Sequence, residues 1–164
     1  MPGDKLRSYW DACLFLAWIN NEPERAAVVD SLLTSARLGE IEIVTSVISV
    51  TEVALAATEK QSGTLSAATL IKIENLWEPP SPIKLVEVHR LIATAARDLM
   101  RQATPDGLRL RAPDAIHLST APRAACDEFL TYDPKLQKYA GMIGLPVREP
   151  VSSALPLEFG PSGD

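Results

Sequence analysis

The sequence predicts an α/β fold, a three-layer α/β/α sandwich with a central, mostly parallel sheet. Three observations predict it. Short apolar and β-branched runs alternate with longer segments of helical periodicity, the pattern of strands joined by helical crossovers. At 164 residues and 46% hydrophobic content the chain has the size and composition of one folded domain. Aromatic residues are only 5%, so the core is expected to be aliphatic.

The elements follow in order. Leu6 to Trp10 reads as a short strand ending at Asp11, and Ala12 to Ile19 as the apolar helix after it. Asn20-Asn21-Glu22-Pro23 is a loop whose proline suits the first position of a helix. That helix carries Ala26, Val29 and Leu33, with Val28 and Leu32, at helical spacing, and Gly39 stops it. Ile41 to Ser49 is β-branched and apolar with no helical stripe, as in a buried strand. Val50 to Glu59 turns helical until Gln61-Ser62-Gly63 breaks it. Thr64 to Trp77 is a further helix with Leu65, Ile73, Leu76 and Trp77 as core candidates, ended by Glu78-Pro-Pro-Ser-Pro82.

Ile83 to Val88 is the next strand, and Leu91, Ile92, Ala95, Ala96, Leu99 and Met100 form the apolar face of the following helix. Thr104 to Pro113 is a polar loop leading to a helix expected over Asp114 to Ala125, which Pro122 shortens or kinks. Glu128 to Tyr132 is a short strand ending at Asp133, and Pro146 to Arg148 an edge strand. The tail from Val151, with Pro156, Gly160, Pro161 and Gly163, is expected to fray. The domain is therefore placed at residues 1–150 and a flexible tail at 151–164. No internal repeat is present.

Sixteen Lys and Arg stand against 21 Asp and Glu, giving a net charge of −5 and a pI near 5.1. That balance counts against a protein that holds nucleic acid mainly by bulk positive charge. It leaves open nucleic-acid chemistry at an acidic site loaded with metal ions. The N-terminus shows no signal-like apolar stretch, and Ala12 to Ile19 is too short to span a bilayer. Cys13 and Cys126 lie in no metal-finger or CxxC spacing and read as buried thiols. A cytoplasmic, reduced protein with no membrane partner is expected. Neither GxGxxG nor GxxxxGK[ST] occurs, so nucleotide-binding loops have no support.

In a doubly wound fold the ligand crevice lies outside the carboxyl ends of the strands. Acids cluster at those ends. Asp11 follows the first strand, Glu52 lies in the first helical turn after the second, and Asp133 follows the strand that ends at Tyr132. Asp114 opens a helix in Arg111-Ala-Pro-Asp114-Ala-Ile-His117. Converging, these carboxylates would repel one another unless protonated or neutralised by cations. Hard oxygen donors suit Mg²⁺ or Mn²⁺, which can activate water against a phosphodiester. Singly, each acid has a plainer use: Asp11 and Asp133 as helix N-caps, Asp114 as a first-turn acid, Glu52 as a solvated residue.

At these residues the sequence resembles the PIN-domain family, particularly its VapC-type toxins. The matching segments are Tyr9-Trp-Asp11-Ala-Cys-Leu-Phe-Leu, Ser46-Val-Ile-Ser-Val-Thr-Glu52-Val, Ala112-Pro-Asp114-Ala-Ile-His117-Leu-Ser-Thr120-Ala and Phe129-Leu-Thr131-Tyr-Asp133. They come in the family's order over about residues 6 to 149. The resemblance implies Mg²⁺- or Mn²⁺-dependent endoribonuclease activity on RNA, with Asp11, Glu52, Asp114 and Asp133 at the catalytic and metal positions and Thr131 supporting them. It also implies a homodimer and a cognate antitoxin protein as partner. In one departure, Cys13 stands where many relatives carry Ser, Thr or Asn.

His117, three residues after Asp114, reads as a packed histidine or one behind the metal site. His89 is a boundary residue without a role. Trp10, Trp18 and Trp77 are core or dimer-interface anchors rather than base-stacking platforms. Arg109 and Arg111, just before Asp114, are possible RNA-phosphate contacts, with two solvated arginines the alternative. A non-catalytic PIN-like module binding RNA or protein is the second reading. An Asp-nucleophile phosphohydrolase ranks third, because position 13 is Cys rather than the second acid such chemistry expects.

Overall fold

The computed structural model describes residues 5–152. Five strands, β1 (Leu6–Trp10), β2 (Ile41–Ser46), β3 (Ile83–Val86), β4 (Glu128–Leu130) and β5 (Val147–Arg148), make one sheet in the order β3-β2-β1-β4-β5. Every neighbouring pair is parallel. The crossovers carry α1 (Ala12–Ile19), α2 (Arg25–Arg37), α3 (Ser49–Glu52), α4 (Ala57–Ser62), α5 (Ala67–Trp77), α6 (Arg90–Ala103), α7 (Ala112–Arg123) and α8 (Ala140–Ile143). Short 3₁₀ turns at Thr104–Asp106 and Pro134–Tyr139 complete them.

Successive residues of a strand face opposite sides of the sheet, so each strand feeds two cores. Trp10, Ile43, Ile83 and Leu130 pack with residues of α1, α2 and α5 on one side. Tyr9, Val44 and Phe129 pack with Ala96 and Leu99 of α6 and Leu118 of α7 on the other. Register sets Tyr9 beside Val44 and Phe129, and its ring stacks on Phe129 with centroids 5.0 Å apart. This is the expected three-layer α/β/α fold. No helix among the described residues is long and apolar enough to cross a membrane.

Several boundaries differ from expectation for local reasons. β2 ends at Ser46, because the chain turns through Val47 and Ile48 into α3. The helix expected from Val50 to Glu59 is split between α3 and α4. The carboxylate of buried Glu59 accepts the backbone N–H of Ala56 at 2.9 Å and of Ser66 at 2.8 Å, restarting the helix and tying α5 to it. α5 begins at Ala67 behind the Ser66 N-cap, which leaves Leu65 outside the core at 78% exposure. α7 starts at Ala112, with Pro113 in its first turn, and ends at Arg123. Pro122 lies in its last turn, where a missing N–H shortens the helix by two residues without kinking its start. Trp10 is fully buried, while Trp18 and Trp77 pack against the edge of the same core. The proposed frayed tail falls, from residue 153 on, outside the described residues.

Candidate functional site

Strand order reverses between β1 and β4: the chain runs outward through β2 and β3 on one side and through β4 and β5 on the other. A crevice opens at the carboxyl ends of strands where such a reversal occurs. Asp11 follows β1 directly and Asp133 lies three residues past β4. Together with Glu52 and Asp114 they line one cavity of about 330 Å³, with Cys13, Arg111 and His117 among its walls. Four acids spread over 123 residues of sequence, Asp11 to Asp133, thus share one concave space.

Asp11 is the most buried of them, 6% exposed. It caps α1, accepting the Cys13 backbone N–H at 3.1 Å and the Cys13 thiol at 2.6 Å. Burial pushes its pKa up; hydrogen bonds from Cys13 and Thr131 offset this in part. The thiol therefore fills the place where a hydroxyl or amide was expected, and its own pKa rises with burial and the adjacent carboxylate. Thr131 is fully buried, accepts the Asp133 backbone N–H at 2.9 Å and stands 3.4 Å from the Cys13 sulfur. Asp133 in turn caps the Pro134–Tyr139 turn through the Lys135 N–H at 2.9 Å.

Glu52 ends α3, a single turn pinned to the sheet by hydroxyls. Thr45 Oγ1 donates to the Trp10 carbonyl at 2.7 Å and contacts Ser49 Oγ at 2.8 Å. A buried relay then orients the carboxylate. The Ser46 N–H donates to Tyr9 Oη at 3.1 Å, Tyr9 Oη lies 2.8 Å from His117 Nδ1, and His117 Nε2 lies 2.6 Å from Glu52 Oε2. With Tyr9 accepting from Ser46, its own proton goes to Nδ1, which leaves Nε2–H to donate to Glu52; this tautomer is assigned from the network. His117 is thus the packed histidine expected behind the site, 2% exposed. Sequence reasoning missed Tyr9, although a tyrosine in an apolar strand signals a buried hydroxyl in need of a partner.

Asp114 occupies the first turn of α7, and the Arg111 Nε donates to its Oδ2 at 2.9 Å. Arg111 is raised in pKa first by that hydrogen bond and charge, and further by Asp133 and Glu52. Its side chain is 77% exposed, so it covers the acid from the solvent side. Arg109 is set apart, in a neighbouring cavity that shares Arg111 and Asp114.

Among the described residues, no three His, Cys, Asp or Glu side chains stand close enough to cage an ion as they are. The donor chemistry still fits a hard divalent cation: the acids offer carboxylate oxygens, and Asp11 is buried with no ion pair among the described residues. Asp114 would have to leave Arg111 to join such a set.

Among solved structures, the fold is similar to VapBC2 from Rickettsia felis, determined bound to a DNA fragment of its promoter (13% identity, TM-score 0.65, covering 89% of this chain and 100% of that one). It is similar to VapC20 of Mycobacterium tuberculosis, a toxin that cleaves the sarcin–ricin loop (13% identity, TM-score 0.60, 77% and 90%). A toxin–antitoxin complex from Klebsiella pneumoniae shares the fold at 17% identity and TM-score 0.54, over 84% and 94% of the two chains. No curated protein sequence matches the chain. The model of the PIN domain matches residues 8–142, which spans most of the sequence, and the chain belongs to the PIN domain family.

Proposed function

We propose that the chain is a Mg²⁺- or Mn²⁺-dependent endoribonuclease that hydrolyses RNA phosphodiester bonds, the toxin of a toxin–antitoxin pair. The observation that carries this reading is four carboxylates lining one cavity at the strand reversal of a PIN fold. Asp11, Glu52 and Asp114 would be the principal ligands, directly or through water, with Asp133 completing the set. A bound divalent ion lowers the pKa of a coordinated water and offsets charge developing on phosphate oxygens. The protein's own residues do the rest. His117 and Tyr9 hold Glu52 in one orientation, Cys13 and Thr131 hold Asp11, and Leu16 and Leu136 give the cavity apolar walls. Arg111, released from Asp114, would be free to meet a substrate phosphate.

A cognate antitoxin protein, a homodimer and a cytoplasmic location belong to the same proposal; the toxin–antitoxin complexes whose fold the chain shares support the antitoxin. A second reading, a non-catalytic RNA- or protein-binding PIN module, is favoured by one observation. Arg111 already occupies Asp114, and no three donors are closed on a cation position among the described residues.

Purified protein incubated with varied RNAs and Mn²⁺, beside Asp11→Asn, separates the two. Cleavage by the wild type, reduced by a factor of about 10³ or more in the variant, is the expected result. Calorimetric titration adds the second arm: Mn²⁺ binding lost in Asp114→Ala favours the enzyme, and no binding at millimolar Mn²⁺ favours the module.

A further inference from the structure

A second cavity, of about 400 Å³, adjoins the carboxylate pocket and shares Arg111, Asp114, Asp133 and Leu136 with it. Its charge is the opposite. Arg109, Arg111, Lys135 and Lys138 line it against only Asp114 and Asp133, a balance of four cations to two acids. Arg109, Lys135 and Lys138 have no carboxylate partner among the described residues, and all three are exposed. In a chain of net charge −5, three uncompensated cations around one concavity are a local exception.

Tyr139 forms part of the same wall and is 1% exposed. Its hydroxyl is buried and has no hydrogen-bond partner among the described residues. Buried hydroxyls are nearly always satisfied, so an orphan at a cavity wall points to a missing acceptor. Burial and the charge of Asp114 raise the phenol's pKa, which keeps it a donor near neutral pH. The ammonium of Lys138 lies over the Tyr139 ring, 5.7 Å from its centre.

We propose that this cavity is a phosphate-binding subsite that takes a backbone phosphate of an RNA strand next to the linkage presented to the four carboxylates. Lys135, Lys138 and Arg109 supply the charge, and the Tyr139 hydroxyl supplies a directed hydrogen bond. The inference rests on the nuclease reading only for what lies next door. The shared wall decides between ligand classes. A ligand spanning both cavities gives the basic one an anion and the acidic one a group that accepts divalent ions. A phosphodiester chain repeats such a group at every linkage and brings an electrophilic phosphorus to the four acids, whereas a peptide carboxylate brings no bond for them to act on.

The test is fluorescence anisotropy of a labelled single-stranded RNA at low salt with chelator present, which removes divalent ions and prevents cleavage. Wild type, the double variant Lys135→Ala/Lys138→Ala, Tyr139→Phe and a remote control, Lys60→Ala, are compared. The double variant is expected to bind on the order of tenfold more weakly, with the slope of log affinity against log salt smaller by about 1.4. Tyr139→Phe is expected to lose a few-fold in affinity with the slope unchanged, since a neutral donor releases no counterion. Lys60→Ala, exposed on α4, should match wild type.

Equal binding by wild type and double variant overturns the subsite, as does a wild type that cleaves RNA with Mn²⁺ yet binds none in chelator. Competition by poly-glutamate as effective as by RNA overturns the ligand class and assigns the cavity to an acidic peptide. Binding that follows the expected pattern in a protein without Mn²⁺-dependent cleavage upholds the subsite while the nuclease reading fails.

Discussion

At the amino end of the sheet, Glu42 sits between two cations; at the carboxyl end, Asp11 sits between a thiol and a hydroxyl. Arg7 on β1 and Lys84 on β3 each place a nitrogen 2.7 Å from the Glu42 carboxylate, and register puts Arg7 directly beside Glu42. Glu128, at the start of β4, is likewise met by Arg148 of β5 and by Ser8. These acids carry their counter-ions on neighbouring strands, so the fold closes its own electrostatics. Asp11, at the other end, is more buried than Glu42 and has no such cation among the described residues. The difference teaches where to look for function: a compensated carboxylate serves the sheet, and an uncompensated buried one is held at a cost in stability for something outside the chain.

The most direct test of this contrast is Asp11→Asn in metal-free protein. Asn retains the N-cap and removes the charge. Because burial raises the Asp11 pKa in the folded state, the wild type holds its full stability below the ordinary aspartate range and loses part of it as pH rises through the raised value. The variant lacks that loss. Thermal melts in chelator should show Asn raising the midpoint by about 3 °C at pH 7 and by little or nothing near pH 3. A variant less stable than wild type at pH 7 would mean that Asp11 is compensated after all, and the contrast between the two ends would break.

A second substitution sharpens the carboxyl end alone. Tyr9→Phe strands the buried Ser46 N–H and removes the proton donor to His117 Nδ1. The lost bond and orphaned amide should cost about 1–3 kcal/mol in denaturant melts. Imidazole ¹⁵N shifts should report loss of the pure Nε2–H tautomer, and Mn²⁺ affinity should fall by roughly 10–100-fold, as it does when partners behind metal ligands are removed. Unchanged ¹⁵N shifts would reduce the relay to packing.

These predictions divide along what the sequence could express. Asp11, Glu52, Asp114 and Asp133 were legible because each stands next to an apolar strand or helix start, a placement that local pattern reveals. The same holds for β1, α1 and the two-sided burial of the strands. The relay was not legible: Tyr9 and His117 are 108 residues apart, and only the register of β1 against the helix over it brings them together. The break between α3 and α4 escaped for a similar reason, since Glu59 acts through the Ser66 N–H, seven residues on, as well as through its own turn. Lys135 and Lys138 carry no local signal either, until the Pro134–Tyr139 turn folds them beside Arg109.

The smallest effect belongs to the compensated end. Glu42→Gln removes the acid between Arg7 and Lys84 and leaves two cations facing each other across β2. The hydrogen bonds from Lys84 and Arg7 hold the Glu42 pKa down at about 2, so its contribution is present above the ordinary glutamate value and lost as pH falls from about 4.5 toward 2. The pair is partly solvated, which limits the loss on substitution to about 0.5–1 kcal/mol at pH 7 and low salt. Melts of both proteins between pH 2 and 7 should therefore converge on acidification, and 0.5 M salt should close much of the gap at neutral pH. Mn²⁺ affinity should not change. At pH 7 the sign is opposite to that of Asp11→Asn: stability falls instead of rising, and the site is untouched. If Glu42→Gln stabilised the protein or altered Mn²⁺ binding, carboxylates at the two ends could no longer be sorted by whether the neighbouring strands supply their cations.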